Sequence, residues 1–585
     1  MIWRGILRTG LGPFLLALAC LGQQPASVPT PQQAAVIEQG KFRLHKFEQA
    51  IGEEDYTIVG DGDTRLLKSD FLFRDRNTSV PLSASLRFAP DWSPLQFEVK
   101  GKNSRLTGID DAVRVDGNTV HVRQDKIESE ENRPEKFFTI AGYAPTAVQA
   151  LLMRYWLTHG SPDRLKTFPA GEVRIEDRGA DRVENQGQSL SLERYSISGL
   201  IWGRETVWLD AQKQLFALVS VDAEFDHFEA IRDGFEATLP ALVAKAGSDQ
   251  MAALAEIASK FPGRKTGKLA LVGGTLVDGT GAPPVPDATV VVDGDRIVAA
   301  GPRSKVVVPK DASVIDTRGK TILPGLWDMH AHFEQVEWGP IYLAAGATTV
   351  RDVGNELEFI SAVRDAIRDG RGLGPRLLLA GIVDGSGPAA IGVQRVDTAE
   401  QAQDWVNRYH QAGFQQIKIY SSMKLENVAA IAKAAHAAGM TVTGHIPIGM
   451  DAYQGVNAGM DQINHIQYIA DIMRPPTVPL PEKPTRAQRM QAVAAIDLDS
   501  PEARKAVDFL KQHGTVVDDT MALMEDIFTQ TAAHPPSSFE PGVNKLAPEL
   551  AQQFAAPVGP PDPLESTNRA VFQKYVQIVG ALHRA

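Results

Sequence analysis

His330 and His332 flank Ala331 just beyond an apolar run, Ile322-Leu-Pro-Gly-Leu-Trp327. In extended chain, residues i and i+2 project to one side, so the two imidazoles can converge on one ion. Taken alone, a His-x-His pair also reads as polar residues in a loop. His445 closes Thr441-Val-Thr-Gly-His and His465 closes Gln462-Ile-Asn-His. Either one singly reads as a hydrogen-bonded core histidine. Lys418 sits at the centre of Ile417-Lys418-Ile419, where alternation turns the two isoleucines one way and the ammonium the other. A buried, unpaired ammonium is costly, so this lysine needs an acid from another strand or a chemical modification. Four imidazoles facing one space suit zinc or a similar divalent ion. Tyr420, on the same strand face as Lys418, is placed to donate a hydrogen bond to substrate or to plug the mouth of the site as an aromatic.

These residues need a scaffold that brings strand ends together. From Thr321 onward, apolar strands alternate with amphipathic helices. Strands are predicted at Thr321 to Trp327, Thr348 to Val353, Arg376 to Ala380, Gln416 to Tyr420, Thr441 to His445 and Gln462 to His465, with a weaker one at Thr515 to Asp518. Helices at Glu400 to Gln411 and Leu425 to Ala438 lie between them, and Gly413 and Gly439 mark helix ends. Repeating βα units imply a parallel sheet, and this many favour a closed (β/α)₈-type TIM barrel over a doubly wound open sheet. The candidate ligands then fall at the C-terminal ends of strands, the face on which barrel enzymes assemble their sites.

Upstream, residues 42–223 alternate with period two between Gly, Asp and Asn turns, which predicts a β-rich N-terminal domain over 42–262. Helices interrupt it at Thr146 to His159 and follow it at Phe225 to Ser259. His45, His121, His159 and His227 are scattered there and read as surface or hydrogen-bonded residues. Residues 266–320 read as short strands of a small β-sandwich, and 321–585 as the barrel. The expected fold is therefore a multidomain α/β chain.

At 585 residues the chain exceeds a single core, since cores stop growing at roughly 250–300 residues. The net charge of -11 supplies no basic surface for phosphates, which argues against nucleic acid as a partner. Arg4, Arg8 and the apolar stretch Leu11 to Ala19 predict a signal peptide over 1–20 and an exported, periplasmic or extracellular protein. A flexible leader is expected over 21–41. Cys20, the only cysteine, stands where a lipid anchor would be attached, although Ala17 departs from the Leu more usual in such signals. Without a second cysteine there is no internal disulfide.

Residues 269–585 resemble the amidohydrolase superfamily, in particular the branch of imidazolonepropionase and the metal-dependent Xaa-Pro and Xaa-Arg dipeptidases. The resemblance is carried by Val272-Gly-Gly-Thr-Leu-Val-Asp-Gly-Thr-Gly, Ile322-Leu-Pro-Gly-Leu-Trp-Asp-Met-His-Ala-His, Thr348-Thr-Val-Arg-Asp-Val-Gly, Ile417-Lys-Ile-Tyr and Thr443-Gly-His-Ile-Pro, in the family's order. It implies two divalent ions, with His330 and His332 on the more buried one, His445 and His465 on the other, and a carboxylated Lys418 bridging them. Two ions about 3.5–4 Å apart convert a shared water to hydroxide and polarise a scissile carbonyl, so the implied reaction is hydrolysis of a C-N bond in a dipeptide or N-acyl compound. Lys418 argues against a mononuclear deaminase. A cyclic-amide hydrolase and a non-catalytic binding protein on a degenerate scaffold are the alternatives. The family also carries an aspartate on an eighth strand, usually in a Gly-Thr-Asp setting. About seven strands are legible before Ala585, which predicts a chain cut short of that strand. Asp518 and Asp519 are nearby acids whose place in the chain order does not fit that role. The Pro-rich stretches Arg474 to Pro484 and His534 to Pro563 read as lids or disordered insertions.

Overall fold

The computed structural model describes residues 35–529 and 563–585, apart from 76–77, 103–107, 125, 143–144, 222–226, 261–266, 388–389, 392, 476–479 and 482–483. The expected signal peptide, Cys20, most of the leader, and large parts of both Pro-rich stretches lie outside the described residues.

Fifteen strands, β1 to β15, form one sheet between Val36 and Arg232. Both ends of the predicted range shift. Strand β1 (Val36–Lys46) already covers the last residues of the expected leader and pairs antiparallel with β2 (Gln49–Asp61) and β15 (His227–Arg232). The helical stretch expected from Phe225 begins instead as strand β15, because ladders on both sides, from β1 and β14 (Leu215–Val221), take its backbone groups. Helix α1 (Thr146–Thr158) is buried along almost its whole length, and it shares a core with both wings of this sheet. Its first N–H groups, from Thr146 and Ala147, donate to the wholly buried Glu54 carboxylate at 2.8 and 2.9 Å. A carboxylate there both satisfies unpaired donors and meets the positive end of the helix dipole.

Helix α2 (Leu239–Ser259) joins this sheet to the barrel. Its apolar face, Leu242, Val243, Ala246 and Met251, shares one core with Trp208 and Phe216 of the sheet and with α4 (Leu357–Arg368) of the barrel. The contact is close at Gly247, where a Cβ would stand 2.9 Å from the Phe359 carbonyl oxygen. Outside that core, Arg204 and Glu337 form an ion pair at 2.5 Å.

Five strands, β16 (Leu269–Leu276), β17 (Val285–Asp293), β18 (Arg296–Pro302), β19 (Ser313–Asp316) and β20 (Thr321–Ile322), form the small unit. The sandwich expected here is a single sheet among the described residues.

The strands expected to build the barrel are parallel: β21 (Leu326–Ala331), β22 (Ala347–Asp352), β23 (Arg376–Val383), β24 (Gln416–Ile419) and β25 (Thr441–Gly444) pair in that order, and β26 (Gln462–Asn464) pairs with β27 (Val516–Asp518), so among the described residues the expected closed barrel is a half-barrel sheet of five and a separate pair. Helices α3 (Trp338–Ala344), α4, α5 (Ala399–Gln411) and α6 (Leu425–Ala437) connect the first five. The predicted first strand is corrected. Thr321 and Ile322 pair with β16, and the barrel strand starts at Leu326, after Pro324-Gly325 breaks the run. Among the described residues β21 and β27 each have one ladder partner, and Leu326 and Trp327 are 58% and 57% exposed.

Candidate metal centre

His330 is the penultimate residue of β21 and His332 lies just past it; Lys418 is the penultimate residue of β24, and His445 and His465 directly follow β25 and β26. The parallel ladder places His330, His332, Lys418 and His445 on one end of the five-stranded sheet, and His465 follows a strand of the separate pair. Ring centroids are 5.9 Å apart for His330 and His332, 4.9 Å for His330 and His465, and 4.8 Å for His445 and His465. The structure therefore brings all four imidazoles together.

A common pattern governs how each ring is held. His330 Nδ1 bonds Asp518 Oδ2 at 2.7 Å and His332 Nδ1 bonds the Gly354 carbonyl at 2.8 Å. His445 Nδ1 lies 2.9 Å from Ser421 Oγ, and His465 Nδ1 lies 2.9 Å from Thr520 Oγ1. At His330 and His332 the Nδ1 partner is an acceptor, so in the neutral ring Nδ1 carries the proton, the arrangement by which outer hydrogen bonds fix the tautomer of metal-ligating histidines; at His445 and His465 the partner is a hydroxyl, which serves either tautomer. Two ring nitrogens face each other directly, His445 Nε2 and His465 Nε2 at 3.0 Å. Among the described residues no three of these ring nitrogens gather within 4.8 Å of one another.

Burial favours the neutral form of three of the rings. It lowers the pKa of His330 and of His445, assisted by the Lys418 charge, and brings His465 down to about 3. Neutral imidazole is the form that ligates metal. Lys418 is 1% exposed, and burial brings its ammonium down to about 7, opposed by Asp518 and Asp352. A lysine of this kind has a substantial neutral amine fraction near neutral pH.

Asp518, set aside on chain order, is central to the structure. Its Oδ2 accepts from His330 Nδ1, from Arg351 Nη2 at 2.8 Å and from Asn464 Nδ2 at 2.9 Å. Arg351, buried on β22, also donates from Nε to the Met329 carbonyl at 2.6 Å and from Nη1 to Gln416 and Gln462. One guanidinium thus ties together β21, β22, β24, β26 and β27. The signal for Asp518 and Arg351 in sequence was only an acid and a base inside strands, which by itself names no partner. Asp352, wholly buried, accepts from the N–H groups of Phe333 at 2.7 Å and Gly354 at 3.0 Å, and so fixes the turn on each side of His332.

Gly444 explains how His445 is presented. Its φ is +146°, and an added Cβ would fall 2.2 Å from the Ile419 carbonyl oxygen. That same carbonyl accepts the His445 N–H at 2.9 Å. Only glycine fits so close to the neighbouring strand.

The Tyr420 ring lies tilted over His445 with centroids 4.2 Å apart and packs against Phe47, Ile382, Ile391 and Val393. Phe47 comes from the β1–β2 turn, so the N-terminal sheet reaches the strand-end face of the barrel. Ser421, which holds His445, also lines a cleft of about 630 Å³ with Ser386, Asp397, Met450 and Gln454.

No protein-family model matches the chain. A segment is 43% identical over 58 residues to an imidazolonepropionase of Streptomyces griseus, covering 10% of this chain and 14% of that protein. Another match is 37% identical over 79 residues to an adenine deaminase of Rubrobacter xylanophilus, covering 14% and 13%. Each matched segment thus spans about a seventh of the curated relative. Among solved structures, a Xaa-Pro dipeptidase with bound methionine aligns at 21% identity and TM-score 0.36 over 53% of this chain and 77% of that one. The bottromycin amidohydrolase AH aligns at 19% and 0.40 over 58% and 69%. Both matched segments are thus similar to parts of amidohydrolase-superfamily enzymes.

Proposed function

We propose that the protein is a metal-dependent hydrolase that cleaves an amide or peptide-like C-N bond of a small substrate. The observation that carries this reading is the set of four imidazoles, each held through Nδ1 by a hydrogen bond, around a buried lysine at the strand-end face. The donor set fits two divalent ions, zinc being favoured by neutral imidazole, and Lys418 as a carbamate would add an anionic oxygen ligand. Ions bound there would supply Lewis acidity and an activated water.

The chain's own residues do the positioning. His330 and His332 would hold one ion, His445 and His465 the other, and Lys418 would reach both. Asp518 Oδ2 is committed to three donors, so its part is to orient His330 and neutralise Arg351. Tyr420, tilted over His445, stands where a substrate polar group could meet its hydroxyl. The cleft beside Ser421 has the size of a small-molecule site, which suits a dipeptide or N-acyl amino acid.

The test is metal analysis of the purified protein together with a screen of dipeptides and N-acyl amino acids. About two divalent ions per chain and hydrolysis of at least one substrate class are expected, both lost in Lys418→Ala. Two ions without hydrolysis of any substrate would favour a binding protein on the same scaffold. An unchanged metal content in Lys418→Ala would end the bridged reading.

A further inference from the structure

A second cluster of ligating groups lies where the N-terminal sheet meets the barrel. Glu48 in the β1–β2 turn, Glu356 at the start of α4 and Glu358 in its first turn place one carboxylate oxygen each within 4.8 Å of one another. Glu356 is 0% exposed, and neither of its carboxylate oxygens has a hydrogen-bond donor. Glu48 Oε1 also has none.

A fourth carboxylate points independently at the same place. Glu229 of β15 is 0% exposed; its Oε2 lies 3.4 Å from the Glu48 N–H, it interacts with Glu356, and its Oε1 has no donor. Two cations face the group. Lys46 acts on Glu229, and Arg408 Nη2 lies 3.8 Å from Glu358 Oε1. Burial and mutual repulsion push Glu48, Glu229 and Glu356 towards the protonated form when no cation is bound; with all four ionised, the carboxylates would outnumber these two cations, among the described residues, by two charges, the charge of one divalent ion. Buried carboxylates that face each other without donors are held together by a cation or by shared protons, since otherwise their repulsion and desolvation are uncompensated.

We infer that Glu48, Glu356 and Glu358, backed by Glu229, bind one hard divalent cation of calcium type that fastens the β1–β2 turn of the N-terminal sheet to the start of α4. All the donors are carboxylate oxygens, which select calcium, magnesium or manganese over the softer ions suited to imidazoles. The turn is already held against the barrel by Gln394, whose Nε2 donates to the Phe47 carbonyl at 2.9 Å and whose Oε1 accepts from Gln49 at 2.9 Å. Glu356 lies two residues beyond Gly354, whose carbonyl orients His332. The cation would therefore steady the turn behind one of the candidate zinc ligands.

The experiment uses the full chain freed of calcium with EGTA, titrated with calcium chloride and followed by calorimetry and by the thermal midpoint. One calcium per chain, with a dissociation constant between about 1 μM and 1 mM, and a midpoint raised by about 2 °C or more are expected. Glu48→Gln and Glu358→Gln should each weaken uptake about tenfold or more, whereas His445→Ala should leave it unchanged. Glu358 is only half-buried and carries the test if Glu48→Gln does not fold. No saturable uptake of calcium, or uptake that both glutamine variants retain, overturns the proposal. So does a Glu48→Gln protein that is more stable in EGTA while the parent binds no calcium, because shared protons would then hold the cluster.

Discussion

Asp518 Oδ2 and His330 Nδ1 lie 2.7 Å apart across 188 residues of sequence, and their contact joins β27 to β21 without a backbone ladder between those strands. The same oxygen takes the Arg351 guanidinium. One carboxylate therefore sets the tautomer of a candidate metal ligand and neutralises the charge buried among the barrel strands.

Asp518→Asn keeps an acceptor for His330 but leaves Arg351 without its counter-charge. Metal affinity should fall by about 10- to 100-fold, as for loss of other groups that orient metal ligands. Removing one partner of a buried ion pair should also cost about 3–5 kcal/mol. Competition with a chromogenic chelator and denaturant unfolding measure the two effects. An unchanged affinity would assign Asp518 to stability alone.

Gly444→Ala forces a Cβ into the Ile419 carbonyl and a side chain into a strained φ. Either β24 and β25 separate or His445 turns away. Metal content should drop with the far-ultraviolet circular dichroism spectrum retained, at a cost of about 1–3 kcal/mol in stability. Full metal content in the variant would show that the strand end relaxes without moving the imidazole.

Glu205 in the N-terminal sheet gives a pH signature away from the metal ligands. It is 1% exposed, and burial pushes its carboxyl up to about 7, against hydrogen bonds from Gln149 and Ser220. Unfolded chain ionises near the ordinary value while the folded protein holds the proton, so this group withdraws stability as pH rises from about 4.5 to about 7. The withdrawal is complete above that range and reaches at most about 3 kcal/mol. Glu205→Gln should remove this pH dependence, measured as the difference between urea midpoints at pH 4.5 and 7.5 in parent and variant. Equal differences in the two proteins would count against a buried neutral carboxyl.

Phe47 fills a pocket made by Ile382, Ile391 and Val393. Phe47→Ala should cost about 3–5 kcal/mol if the turn stays docked over the cavity, and less if it lifts off. Limited proteolysis at the β1–β2 turn distinguishes these outcomes. With a substrate in hand, KM should rise more than kcat falls, because Phe47 reaches the site through Tyr420.

Much of this molecule is legible in its sequence because local rules act locally. Helices α5 and α6 fall within a residue of their predicted bounds, since apolar spacing and the glycines at 413 and 439 mark both faces and ends. Period-two alternation in Ile417-Lys418-Ile419 points the lysine inward whatever surrounds it. The first barrel strand was misplaced by a few residues because a buried run is apolar throughout, and periodicity cannot say which part of it pairs with which sheet. Strand β15 was missed for a related reason, as its backbone is claimed by two ladders formed with residues distant in sequence.

What the sequence determined by itself is which residue types stand at which strand ends, and so the candidacy of His330, His332, Lys418, His445 and His465. Tertiary structure alone decided that Asp518 faces His330, that Arg351 spans five strands, and that Glu48 meets Glu356 across two parts of the chain. The reason is physical: periodicity along a chain fixes the face a side chain occupies, whereas its partner is chosen by how whole faces pack, and that depends on every other element at once.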